Sequence, residues 1–180
     1  MAHNVLIPSA IAAKNIDSYN RSAVYTADID NGNLVVLSGQ SATAGQTEAW
    51  TALIPSTANG LTGLWMVYQG DEIVVTNAQY KGLDPDPRNF YVISGKVFSV
   101  FKPALGDIVV MTADGIAGTK STNTFVNATD TTGGLRPVWG ATQTSSVFSM
   151  KLVATEYISI GTGAIDSQRV TSYKFEVIAL

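Results

Sequence analysis

The chain has 180 residues, 46% of them hydrophobic and only 14% charged, with a formal net charge of −3 and no cysteine. The missing thiol excludes disulfides, thiolate metal sites and a cysteine nucleophile. Eleven scattered Lys and Arg leave no basic face to track a phosphate backbone, so nucleic acid is not an expected partner. No window approaches the length and apolarity of a membrane helix, and MAHNVLIPSAIAAKN has neither a basic leader nor an unbroken apolar core. These features predict a protein made in the cytoplasm, off the membrane and without an export signal.

In chain order, residues 1–20 read as an N-terminal arm. Val5, Leu6 and Ile7 are apolar, and Pro8 interrupts any strand there. A segment that cannot complete a fold by itself seeks another surface, so Val5–Pro8 is expected to be mobile in the free protein and to bind a neighbouring subunit. Removing residues 2–12 would then leave the melting temperature nearly unchanged. The alternative is an edge strand on the chain's own core.

Residues 21–180 read as one β-rich domain. β-branched and aromatic runs are punctuated by Gly, Asn-Gly, Asp and Thr. Predicted strands are Ala23–Ile29, Asn33–Ser38, Thr62–Tyr68, Glu72–Thr76, Lys96–Phe101, Asp107–Thr112, Val147–Ala154 and Val170–Ile178. In the last, Tyr173, Phe175 and Val177 alternate with Ser172, Lys174 and Glu176, which marks a half-buried strand. LVVL and IVVM are apolar on both faces and predict central strands. Short turns are expected at Ile11–Ala13 and Asp84–Phe90, too short for stable helices. The fold class is therefore all-β, a compact sandwich- or barrel-like domain with minor helix. Residues 120–140, polar and Thr-rich, read as a long exposed loop with room for one strand in it. GDEIVVT from Gly70 and GDIVVMT from Gly106 look alike, but a Gly-Asp turn leading into a β-branched run accounts for both.

Three places invite chemistry. In YTADIDNGNLVVLSGQ, Asp28 and Asp30 fill the first two oxygen positions of a calcium loop, yet Gly32 falls where the third ligand belongs and Gly39 where the closing glutamate would be. Asn31-Gly32 instead suits a two-residue hairpin turn. In GLDPDPRNF, Asp84 and Asp86 could share a cation, but two prolines predict a rigid surface turn in which Arg88 pairs with an aspartate, a suitable protein contact. Trp65 lies in an apolar run and reads as core, whereas Trp50 and Trp139 flank polar loops and are candidates for an interface or a sugar platform. The single histidine, His3, is expected to be mobile. No Ser-His-Asp arrangement, Gly-x-Ser-x-Gly elbow, phosphate loop or dinucleotide fingerprint stands out. No catalytic residue, cofactor or metal is assigned.

The order of segments NVLIPSAIAAKNIDSYN, YTADIDNGNLVVLSG, KGLDPDPRNFY and FKPALGDIVVMTADGIAG resembles the small head proteins of tailed bacteriophages, of the decoration or capsid-stabilising type. The resemblance implies a non-enzymatic, β-rich virion structural protein on the capsid exterior. Its partner would be the major capsid protein, and it would often be a homo-oligomer, with a trimer at three-fold positions. Alternatives are a tail-tube or head–tail joining protein, a carbohydrate-binding module on the virion, and, last, a hydrolase.

Overall fold

The structure, a computed structural model, describes residues 3–7, 11–69, 87–130, 135–144, 147–160 and 168–180. The expected strand Glu72–Thr76, the first copy of the Gly-Asp repeat, Pro8, Asp84 and Asp86 lie outside the described residues.

Eleven strands are described: β1 (Leu6–Ile7), β2 (Asn20–Val24), β3 (Leu34–Gln40), β4 (Trp50–Leu53), β5 (Trp65–Val67), β6 (Val97–Phe101), β7 (Ile108–Thr112), β8 (Phe125–Asn127), β9 (Val138–Gly140), β10 (Ser149–Ile160) and β11 (Gln168–Ala179). Helical content among the described residues is confined to short 3-10 turns, at Ala12–Asn15, Asp17–Tyr19, Pro87–Asn89 and Ala113–Gly115. The all-β expectation holds.

The strands form two bodies. One is a closed barrel in the order β2-β4-β3-β5-β6, and the other a six-stranded sheet in the order β1-β7-β11-β10-β8-β9. Barrel diameter grows with strand number, and five strands enclose only a narrow interior. Ala23, Val35, Ala52, Val67, Phe98 and Val100 occupy it, with small Ala23 directly opposite Phe98 across the β2–β6 ladder. These side chains make the barrel interior a packed hydrophobic core.

Two-residue alternation turns Leu34, Met66 and Phe101 to the other side of the same strands. There they join Leu6, Val109, Met111, Val126, Met150, Phe175 and Val177 from the sheet in a second, larger core. This explains the LVVL pattern: β3 lies between β4 and β5, with one face in the barrel and the other against the sheet. β7 likewise lies between β1 and β11, and Phe175 and Val177 on β11 are fully buried as their alternation requires.

The N-terminal segment corrects the expectation of a free arm. Leu6 pairs with Met111 and Ile7 with Val110, antiparallel, and Val5 and Leu6 are buried. Pro8 does not prevent this, because two residues before it suffice for a short edge strand. Just upstream, Asn4 is only 1% exposed. Its Nδ2 donates to the Asn31 carbonyl at 2.6 Å, and its Oδ1 accepts from the Thr112 amide at 3.1 Å and the Thr112 hydroxyl at 3.0 Å. Gly32 and Gly115 press on this carboxamide so closely that a Cβ on either would overlap it. One side chain thus ties the N-terminal segment, the approach to β3 and the end of β7.

Asp107 does similar work at the start of β7. Nearly buried, it accepts from the amides of Ala12 at 2.9 Å, Ala13 at 3.3 Å and Ala104 at 2.9 Å. Asp107→Ala leaves three amides without their acceptor, and should cost about 2–3 kcal/mol in urea unfolding with an unchanged m-value.

Residues 120–140 are also corrected. β8 and β9 pair within this stretch, Val126 opposite Trp139, and β8 continues onto β10. Phe125–Asn127 and Val138–Gly140 thus extend the main sheet. Asn127 anchors this stretch, accepting from the Ser149 hydroxyl at 2.6 Å and the Thr144 amide at 3.1 Å and donating to the Thr142 carbonyl at 3.1 Å.

Candidate interaction surfaces

The Asp28–Gly32 stretch turns, but not as a two-residue hairpin. β2 and β3 are not neighbours in the barrel. The Asn33 amide donates to the Asp30 carbonyl at 3.2 Å and Gly32 has φ +78°, the geometry of a type II turn. Both aspartates are engaged. Asp28 accepts from the Ser94 amide at 2.9 Å, and Asp30 meets His3 Nδ1 at 2.5 Å. Among the described residues no three of His, Asp and Glu gather to hold a metal.

His3 is fixed in place, contrary to expectation. Besides the contact with Asp30, its ring stacks on Tyr91 at 4.7 Å and 23°, and its amide donates to the Arg88 carbonyl at 2.6 Å. Arg88 in turn donates from Nη1 to Gln168 Oε1 at 2.7 Å. The N-terminal segment, the Pro87–Asn89 turn and the start of β11 therefore meet at one place.

β10 and β11 form a long ribbon, paired from Ser149–Ala179 to Ile160–Gln168. β8 covers the outer edge of β10 only at Ser149–Lys151, and β7 covers β11 only at Ser172–Glu176. The last four pairs, Tyr157–Thr171 to Ile160–Gln168, have no third described strand on either side. At about 3.4 Å per residue they carry the ribbon roughly 13 Å past the sheet. Tyr157, 55% exposed, lies there with the Arg169 guanidinium 3.9 Å above its ring. Among the described residues no further strand completes these edges, and the ribbon carries an aromatic–cation pair.

The tryptophans separate. Trp139, 9% exposed, belongs to the large core, edge-on to Tyr173 at 5.2 Å and tilted against Phe175 at 5.5 Å. Its polar neighbours in the sequence suggest an interface, but the ring itself turns into the core. Trp50 and Trp65 are half-buried on the barrel and flank one guanidinium, Arg21 Cζ lying 4.8 Å from the first ring and 5.6 Å from the second. Beside them opens a cleft of about 410 Å³ lined by Lys14, Asn20, Arg21, Ser22, Tyr68 and Ser99, among others. Lys14 Nζ sits 3.1 Å from the Tyr68 ring centre, and burial pushes its ammonium below the ordinary lysine value. Nothing in the residue pattern marks Lys14 or Arg21 as special, because their proximity exists only once the Ala12–Asn15 turn is fastened beside the barrel by Asp107.

No family model matches the chain, and searches of curated proteins and of solved structures likewise gave no match.

Proposed function

We propose that this protein is a non-enzymatic virion component that binds the outer surface of a tailed-phage head and stabilises it. The reading starts from the resemblance of four segments to head decoration proteins. The observation that supports it is the β10–β11 ribbon, whose distal pairs have no third strand beside them among the described residues. A strand edge offers unpaired amides and carbonyls that a neighbouring chain can complete, and Tyr157 beside it supplies apolar area at small entropic cost. The proposed partner is the major capsid protein, and trimers at three-fold positions would repeat the contact.

The test is sedimentation with purified undecorated heads. The intact protein should co-sediment to saturation and raise the temperature at which heads rupture. A variant with residues 157–171 replaced by an Asn-Gly turn removes these distal pairs, and with them the Gln168–Arg88 contact, while sparing every ladder that β7 and β8 make. It should stay folded and lose at least roughly a hundredfold in head affinity, the scale of a central contact. Undiminished head binding by this variant would overturn the ribbon's role. If negative-stain images of the purified protein show rings or stacked rings, the tail-tube or joining reading takes its place, since the same strand edges could pair subunit to subunit.

A further inference from the structure

We infer that the cleft between the Ala12–Asn15 turn and the barrel is a docking site for an acidic peptide segment of a partner protein, with Lys14 and Arg21 receiving its carboxylates. The first support is charge. The ion pairs among the described residues join His3 to Asp30 and Lys174 to Glu156, and neither Lys14 nor Arg21 takes part in one. Asp17, on the adjacent 3-10 turn, makes no ion pair with either. Two cations with no carboxylate partner among the described residues line one cleft on a chain whose net charge is −3. A partly desolvated ammonium such as Lys14 gains from an arriving anion more than an exposed one does, because less water screens the pair.

The second support is the way both cations are held. Lys14 lies on the Tyr68 face and Arg21 beside the faces of Trp50 and Trp65. Cation–π contact restrains each head group without using its hydrogen-bond donors, so those donors stay available to oxygen. The hydroxyls of Ser22 and Ser99, both exposed residues, add neutral donors on the lining.

The third support is size and make-up. A cleft of about 410 Å³ exceeds what one carboxylate fills, and the cations come from two elements, the 3-10 turn and β2. Aromatic rings beside them suit the aliphatic stems of Glu or the backbone of an extended peptide. A segment with two acidic residues satisfies all of these features at once. The inference concerns a different face from the ribbon and does not depend on head binding.

The experiment titrates the intact protein with fluorescein-labelled hexaglutamate, read by polarisation and by tryptophan emission, in low and moderate salt. Binding should weaken with salt and should change tryptophan emission, because Trp50 and Trp65 flank Arg21. Lys14→Met and Arg21→Gln, each confirmed as folded by circular dichroism, should each weaken binding roughly tenfold, the scale of one charged hydrogen bond. Arg21→Lys should retain part of it. Three results would each overturn the inference: no binding, binding unaltered in both variants, or equal occupancy by inorganic phosphate or N-acetylneuraminate at the same concentration. The last would mark a small-anion site in place of a peptide groove.

Discussion

Asn4→Ala should lower stability by about 3 kcal/mol, a fall in melting temperature of roughly 6–12 °C for a chain of this size. The Asn31 carbonyl and the Thr112 hydroxyl lose their partners on this side chain, and a gap opens between Gly32 and Gly115. Thr112 N keeps its bond to the Val5 carbonyl, which bounds the loss. Asn4→Asp should be worse at neutral pH, and its deficit has a definite pH sign. A buried carboxyl facing a carbonyl oxygen has its folded-state pKa raised above the unfolded value of about 3.9. The protonated form can still donate to Asn31. The folded state then binds more protons than the unfolded one, and stability falls as pH rises from about 4 toward the raised folded value. Thermal scans of both variants across pH would show it, and a pH-independent gap between them would refute it. By the same logic, deletion of residues 2–12 should strongly destabilise the free protein.

Trp139→Ala should have the second large effect, about 3–5 kcal/mol. The ring is buried against Tyr173 and Phe175, and its loss opens a cavity where β9 meets the large core. Trp50→Ala, on the half-buried barrel surface, should cost much less stability while altering the setting of Arg21. Urea unfolding of the two variants separates these roles, and equal destabilisation would contradict the assignment.

The legible parts of this fold are those where burial repeats with a strand's own period. Tyr173, Phe175 and Val177 announce β11, and LVVL announces a strand covered on both sides. Short strands escaped because their signal is not local. Trp50–Leu53 and Phe125–Asn127 are too brief for a periodic pattern and sit among polar residues. They become strands because ladders with β3 and β2, or with β10 and β9, satisfy their backbone. In the N-terminal segment Pro8 suggests a broken strand, but Asn4 decides where the segment lies. An amide beside an apolar run looks like an ordinary surface residue until its partners, an acceptor 27 positions away and a donor 108 positions away, are known. The same holds for the cleft, since the nearness of Lys14 and Arg21 to aromatic rings is a product of tertiary packing. His3, a single histidine near one end, likewise gave no hint of Asp30 or Tyr91.

The pairing of β1 with β7 also bears on how the chain is made. Leu6 leaves the ribosome long before Met111, its ladder partner, and β2 must wait for β4 and β6 to close the barrel. At roughly 5–20 residues per second, the first segment spends several seconds as solvated coil while its binding groove does not yet exist. Non-local closure of this kind places folding among the slow β topologies. Vectorial synthesis therefore makes the earliest residues among the last to be secured, and the low charge of this chain leaves that waiting interval the period most open to misassociation.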